Sequence, residues 1–259
     1  MKALATIILL SSLFNLTTSI FRKHFYVKKG MTWTEAQIHC MEDHDDLSIA
    51  TYSELTVISQ NPAITFGFYW IGLYRDSQSP SVWRWTGGKE ATDIPWHTGQ
   101  PDTLHEQCVA ISKSSSTAYN MACLVPIPFF CMENFELILM QRRYTWDEAL
   151  QYCRHNNMDL GHLISDVAMR EAQNKSAPAQ TRAVWMGLRF IVGQWLWVDG
   201  ETVEYEAWST EGELQCPVVD QRCGALDLKK MVWEPTNCDQ RLNFLCVKRV
   251  KGTSEEDDD

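Results

Sequence analysis

Between His97 and Cys108 the chain reads HTGQPDTLHEQC, which gathers three oxygen-bearing side chains, Gln100, Asp102 and Glu106, around the proline at position 101. Such donors suit a hard cation, because calcium takes roughly 6 to 8 oxygen ligands and mixes carboxylates with amide carbonyls. On a solvated loop the same residues would only keep the segment in water. The choice between the two depends on the compartment, on the scaffold beneath the loop, and on ligands arriving from elsewhere in the chain.

The compartment is legible at the N-terminus. MKALATIILLSSLFNLTTSI places Lys2 before an apolar run from Ala3 to Leu13 and then small polar residues ending at Ser19. This is the pattern of a signal peptide over residues 1–19, cut after Ser19. The run falls short of the roughly 20 apolar residues of a membrane span, so a secreted, extracellular protein without a membrane anchor is expected. Nine cysteines in an exported chain imply disulfides, and the odd count leaves one over. A net charge of −10 argues against nucleic acid or an anionic membrane as the main partner. The last five residues are all acidic, so 251–259 reads as an acidic disordered tail.

The scaffold is announced by repetition. TWTEAQIHC, ending at Cys40, returns as TWDEALQYC, ending at Cys153; YWIGL at 69–73 returns as VWMGL at 184–188, and WRWTGG as WLWVDG. Cys108, Cys123 and Cys131 recur 115 positions later as Cys223, Cys238 and Cys246. In each copy a threonine, Thr32 or Thr145, precedes a helical apolar face ending at the cysteine, with Glu35 or Glu148 completing a capping box. A second helix is expected near Ser53 in the first copy and near Ser165 in the second. Short aromatic strands with turns at Gly87, Gly88 and Gly200 follow, and the alternation of Phe135, Leu137 and Leu139 marks the first strand of the second copy. The fold class expected is α+β, with two helices and mostly antiparallel strands per copy, arranged as 20–132 and 133–250 and lying close together.

Each copy resembles a C-type lectin-like domain, through W-x-x-A-x-x-x-C on the first helix, the W-I-G-L strand, the W-x-W strand and four cysteines in that family's order. The resemblance covers about Phe21 to Lys248. It implies two disulfides per domain: Cys40 with Cys131 and Cys108 with Cys123, then Cys153 with Cys246 and Cys223 with Cys238. Each short bridge would close a 15-residue loop worth about 3 kcal/mol in the chain-entropy model. The resemblance also makes Trp33, Trp70, Trp83, Trp85, Trp146, Trp185, Trp195 and Trp197 core residues rather than a sugar-stacking platform.

Sugar-binding members of the family hold one calcium through a loop triplet, a Glu just before the third cysteine and an Asn-Asp pair after a Trp. By that resemblance Gln100, Asp102, Glu106 and Asn120 form the metal and carbohydrate site, the triplet Q-P-D implies galactose-type sugars, and Pro101 follows a cis peptide bond. Where the family has W-N-D-x-x-C, this chain has Tyr119, Asn120, Met121, Ala122 and Cys123. Asn120 is matched by assuming a one-residue deletion, and no aspartate is supplied. Calcium binding in domain 1 is therefore expected to be weak, on the order of 10⁻³ M, or absent. In domain 2, Gln215, Cys216, Pro217, Asp220, Gln221, Glu234 and Pro235 fall at the corresponding places and scarcely any ligand set survives.

No hydrolase, phosphate-loop or zinc-protease motif occurs, and of the seven histidines only His105 adjoins the candidate loop, so an enzyme is not expected. Two binding functions compete: weak calcium-dependent galactose-type recognition of a glycan or cell-surface glycoprotein through domain 1, or calcium-independent recognition of a protein. Cys216, the unpaired cysteine, reads either as a free thiol or as the bridge of a homodimer. Asn174, in NKS within a polar stretch expected to follow the second helix of domain 2, is a glycosylation acceptor; Asn15 matches too but lies in the leader.

Overall fold

The computed structural model describes residues 20–65, 67–209 and 217–251. The expected leader, Cys216 and the tail beyond Lys251 lie outside the described residues.

Helix starts follow the capping chemistry. Thr32 opens α1 (Trp33–Asp43) and Thr145 opens α3 (Trp146–His155), each threonine accepting from the backbone of the glutamate three residues on while that carboxylate accepts in return. The second helix of the first copy, α2 (Tyr52–Ser59), begins earlier than Ser53, because Thr51 and Glu54 form a third capping box. In the second copy Ser165 does cap α4 (Asp166–Ser176). The Asn174 sequon therefore lies in the last turn of α4 rather than after it.

Domain 1 contains β1 (Ile20–Met31), β2 (Asp46–Leu47), β3 (Phe68–Arg75), β4 (Trp83–Trp85), β5 (Cys108–Ser112) and β6 (Ala118–Met121). Then comes β7 (Ile127–Tyr144), an unbroken strand of 18 residues that closes the first copy and opens the second. Domain 2 continues with β8 (Asp159–Leu160), β9 (Ala183–Ile191), β10 (Gln194–Trp197), β11 (Cys223–Asp227), β12 (Val232–Thr236) and β13 (Leu242–Arg249). The pairings are antiparallel except β3 with β7 and β13 with β9, and they join all thirteen strands. Each domain has two helices and two disulfides, Cys40–Cys131 and Cys108–Cys123, then Cys153–Cys246 and Cys223–Cys238.

The strand β7 does more than connect. Its first half pairs with β1, from Val27↔Phe129 through Phe25↔Cys131 to Ile20↔Glu136, and its second half pairs with β13, from Arg249↔Phe135 to Leu242↔Tyr144. The start of β1 thus reaches past residue 132, and Phe21, 1% exposed, sits in the core of domain 2 with Leu137, Leu245 and Val247. Ion pairs cross the same seam: Arg249 with Asp45, and Lys23 with Asp199 and Glu201.

The tryptophans fill these cores. Trp33, Trp70, Trp83, Trp146, Trp185, Trp195 and Trp197 are buried, and half-buried Trp85 packs on the domain 1 core. Their indole N–H groups find backbone carbonyls in matching places: Trp33 and Trp146 donate to Ile71 and Met186, Trp70 and Trp185 to Met31 and Tyr144. Burying the ring while bonding its one donor is what a structural tryptophan requires. Gly87, Gly88 and Gly200 take positive φ at the turns after the W-x-W strands.

Candidate functional site

The loop between β4 and β5 carries Gln100, Asp102 and Glu106, and β6 brings Asn120 beside it. The Gln100–Pro101 bond is cis. Both copies span 15 residues between their short-bridge cysteines, and Val109↔Asn120 occupies the register of Gly224↔Pro235. No deletion therefore separates Asn120 from the family pattern. Counting back from Cys123, Tyr119 stands at the place of the asparagine and Asn120 at the place of the aspartate, which corrects the match by deletion. The missing charge has become an amide at the same backbone position.

That amide is buried and bonded at both its oxygen and its nitrogen. Asn120 is 3% exposed. Its Oδ1 accepts from the Asp102 backbone N–H at 3.2 Å, its Nδ2 donates to the Thr103 carbonyl at 2.9 Å, and its own backbone N–H donates to Gln100 Oε1 at 3.1 Å. Thr103 O also accepts from Arg75 Nη2 at 3.0 Å, and Arg75 Nη1 donates to the Pro80 carbonyl. Arg75, at the end of β3, is 8% exposed and its guanidinium lies 4.2 Å from the centre of the Trp83 ring. A fixed positive charge beneath the loop thus bonds the carbonyl that Asn120 also holds. Sequence reading missed Arg75, for which the only signal was a lone cation closing an otherwise apolar strand, FYWIGLYR.

The two carboxylates behave differently from the amides. Neither Asp102 nor Glu106 has an ion-pair partner among the described residues. Partial burial and then the neighbouring Asp102 charge push the Glu106 carboxyl up from its ordinary range. Unbalanced negative charge of this kind favours a cation. Against it stand the buried Arg75 guanidinium and the two amide oxygens already accepting backbone hydrogens. No three His, Cys, Asp or Glu side chains converge on a metal position among the described residues. The donor set fits calcium only in part, with two anionic ligands in place of three. His105 is exposed, its backbone N–H turned to Thr103 Oγ1 at 3.2 Å. The aromatic surface of this end belongs instead to His97 stacked on Tyr119, ring centres 4.7 Å apart.

In domain 2 the corresponding strand puts Glu234 where an amide ligand would stand, and Arg182 and Lys230 hold it at 3.0 and 3.1 Å. Pro235 offers no side-chain oxygen. Asp220 and Gln221 are described, while Gln215 and Cys216 lie outside the described residues.

The family model for the lectin C-type domain matches residues 29–133 and 142–248. Among curated proteins the chain is similar to C-type mannose receptor 2 of Rattus norvegicus, 24% identical across 93% of this chain and 19% of that protein. It is similar also to lymphocyte antigen 75 of Mesocricetus auratus (23%, 89% and 15%) and to the secretory phospholipase A2 receptor of Bos taurus (21%, 86% and 18%). The chain therefore spans less than a fifth of the length of these relatives. Among solved structures, human lithostathine aligns with a TM-score of 0.41 at 21% identity, over 45% of this chain and 84% of that one. Herring type II antifreeze protein gives 0.41 at 16%, over 45% and 92%. With both copies matched in full sequence order, the chain belongs to the C-type lectin domain family and carries two such domains in tandem.

Proposed function

We propose that this chain is a secreted binding protein, not an enzyme, that recognises a cell-surface glycoprotein with a domain 1 loop held in shape by protein groups rather than by an ion. The observation that carries this reading is the hydrogen-bonded network of Gln100, Asn120, Thr103 and Arg75, which holds the loop together through protein groups alone. A second reading, weak calcium-dependent galactose-type binding through Gln100, Asp102, Glu106 and Asn120, is favoured by the unpartnered carboxylates of Asp102 and Glu106. Passing the full chain over immobilised galactose and over desialylated and native glycoprotein, with calcium and with chelator, separates the two. Retention on glycoprotein that survives chelation supports the first; calcium-dependent retention on galactose supports the second; retention on neither surface refutes both.

Export is supported by the leader pattern of 1–19 and by four disulfides, which form and persist in oxidising compartments. No helix among the described residues is long and apolar enough to cross a membrane. Eight cysteines are bridged, which leaves Cys216 as the candidate bridge of a homodimer. A dimer band on a non-reducing gel that disappears in Cys216→Ser supports that bridge; a monomer with one titratable thiol overturns it. Asn174, exposed on α4, is proposed to carry a glycan.

A further inference from the structure

One face of α3, along its length to the C-cap Asn156, and the end of β7 border a shallow, open cleft of about 700 Å³, lined by Arg142, Tyr144, Glu148, Gln151, Tyr152, His155 and Asn156. Two tyrosine rings line it, and both pack on buried Phe244. Tyr144 stacks on that ring at 5.6 Å, and Tyr152 meets it edge-on at 5.5 Å. The Arg142 guanidinium lies 5.2 Å from the centre of the Tyr152 ring and donates to the Tyr144 hydroxyl at 3.2 Å. Arg142 has no carboxylate partner among the described residues. Glu148, the one acid in the cleft, is committed to Arg241 at 2.9 Å and to its own helix cap.

The repeat supplies an internal comparison. At the same places in domain 1 stand Lys29 for Arg142, Met31 for Tyr144, His39 for Tyr152, Glu42 for His155 and Asp43 for Asn156. The residues the fold needs are kept, namely the capping threonine and glutamate, the tryptophan, the alanine, the cysteine, and Phe129 in the place of Phe244. The tyrosine pair and the neutral-to-basic rim are therefore not demanded by the scaffold. Domain 1 folds the same helix without them and with an acidic rim.

We propose that this cleft of domain 2 binds an acidic saccharide, with the C–H face of a pyranose on a tyrosine ring and its sulfate or carboxylate on the Arg142 guanidinium. Aromatic faces suit the apolar side of a sugar, and a guanidinium pairs with planar or tetrahedral oxyanions through parallel N–H donors. The chain's net charge of −10 opposes long polyanions, so a short saccharide with one or two charges fits better than a polymer. The site shares no residue with the calcium loop of domain 1, and chelation leaves it unchanged.

The test is calorimetric titration of the full chain, in chelator, with a monosulfated disaccharide, a glucuronate-containing disaccharide and an uncharged disaccharide. Saturable binding of either acidic probe, at least fivefold tighter than the uncharged one, is expected, and the tighter arm identifies the oxyanion. Arg142→Gln should weaken the acidic probe about tenfold while leaving the uncharged probe unchanged. Tyr152→His, which installs the residue domain 1 already tolerates, should weaken all probes without lowering the melting temperature by more than a few degrees. Equal binding of charged and uncharged probes, no saturation by millimolar concentrations, or an Arg142→Gln protein indistinguishable from the parent overturns the proposal.

Discussion

Replacing Asn120 by aspartate tests whether one missing charge is what would weaken calcium binding in domain 1. The strand register already puts residue 120 at the aspartate's place, so the substitution changes chemistry without moving the backbone. Without calcium it should cost stability. The Nδ2–H donor to Thr103 O is lost, at about 1 kcal/mol, and a carboxylate is buried beside Asp102 and Glu106. The nearby Arg75 offsets part of that charge, so a net loss of about 2–3 kcal/mol is expected. With calcium the order reverses. A third anionic ligand should move the dissociation constant from about 10⁻³ M toward about 10⁻⁵ M. At 1 mM calcium the linkage then stabilises the variant by about 2.7 kcal/mol and the parent by about 0.4 kcal/mol. For a chain of this size that is a calcium-induced rise of roughly 5–10 °C in the variant against about 1 °C in the parent. The burial and repulsion that raise the Glu106 pKa add a pH signature, because calcium must displace a proton that Glu106 holds to higher pH than an ordinary carboxyl. Melting curves with calcium and with chelator, on the full chain, read all of this. A parent that gains several degrees at micromolar calcium, or a variant with no calcium response, would refute the reasoning.

Phe21→Ala should destabilise domain 2 by about 3–5 kcal/mol although residue 21 belongs to the first strand, because the ring is buried in the second core beside Phe135; a change below 1 kcal/mol in chemical unfolding would contradict the shared core. Glu54 is largely buried, which alone would raise its pKa, but the His24 imidazole 3.8 Å away and hydrogen bonds from the Thr51 backbone and hydroxyl bring it down to about 2. Its ionised form therefore contributes up to about 3 kcal/mol, fully present above the unfolded carboxyl range near pH 4.5 and lost as pH falls toward 2; Glu54→Gln should flatten the stability profile over that window, and an unchanged profile would refute the assignment. Asn174→Gln should migrate faster on a gel after expression in secretory cells, since the side chain is exposed even though the Ser176 hydroxyl is buried in the last turn of α4; identical mobility means the sequon is unoccupied.

The elements that were legible in the sequence are those whose cause is local. Thr32 with Glu35 and Thr145 with Glu148 announce two helices through a three-residue spacing, and Thr51 with Glu54 carries the same signal, passed over in favour of Ser53. The loop donors Gln100, Asp102 and Glu106 are likewise visible in one short stretch. Asn120 was found but shifted by a residue, because only the pairing of β5 with β6 fixes its place. Arg75 could not be recognised, since its meaning comes from the Thr103 carbonyl 28 residues away. The continuity of β7 was hidden for a similar reason. The alternation at Phe135, Leu137 and Leu139 announces only its second half, and whether that strand runs on unbroken from Ile127 depends on β1 and β13 flanking it, partners more than a hundred residues from one another.

A strand of 18 residues that belongs to both domains acts as a ruler. Two modules joined by a flexible linker sample many separations, and their joint binding gains or loses with the length of that linker. Here there is no linker to lengthen: the span between the domain 1 loop and the domain 2 cleft is written into the hydrogen bonds of β7 with β1 and β13. A surface presenting two epitopes at the matching distance would be gripped without further ordering cost, and one presenting them at another distance could engage only one domain at a time. Selectivity in this molecule would then come from the spacing of targets on a surface as much as from the chemistry of either site.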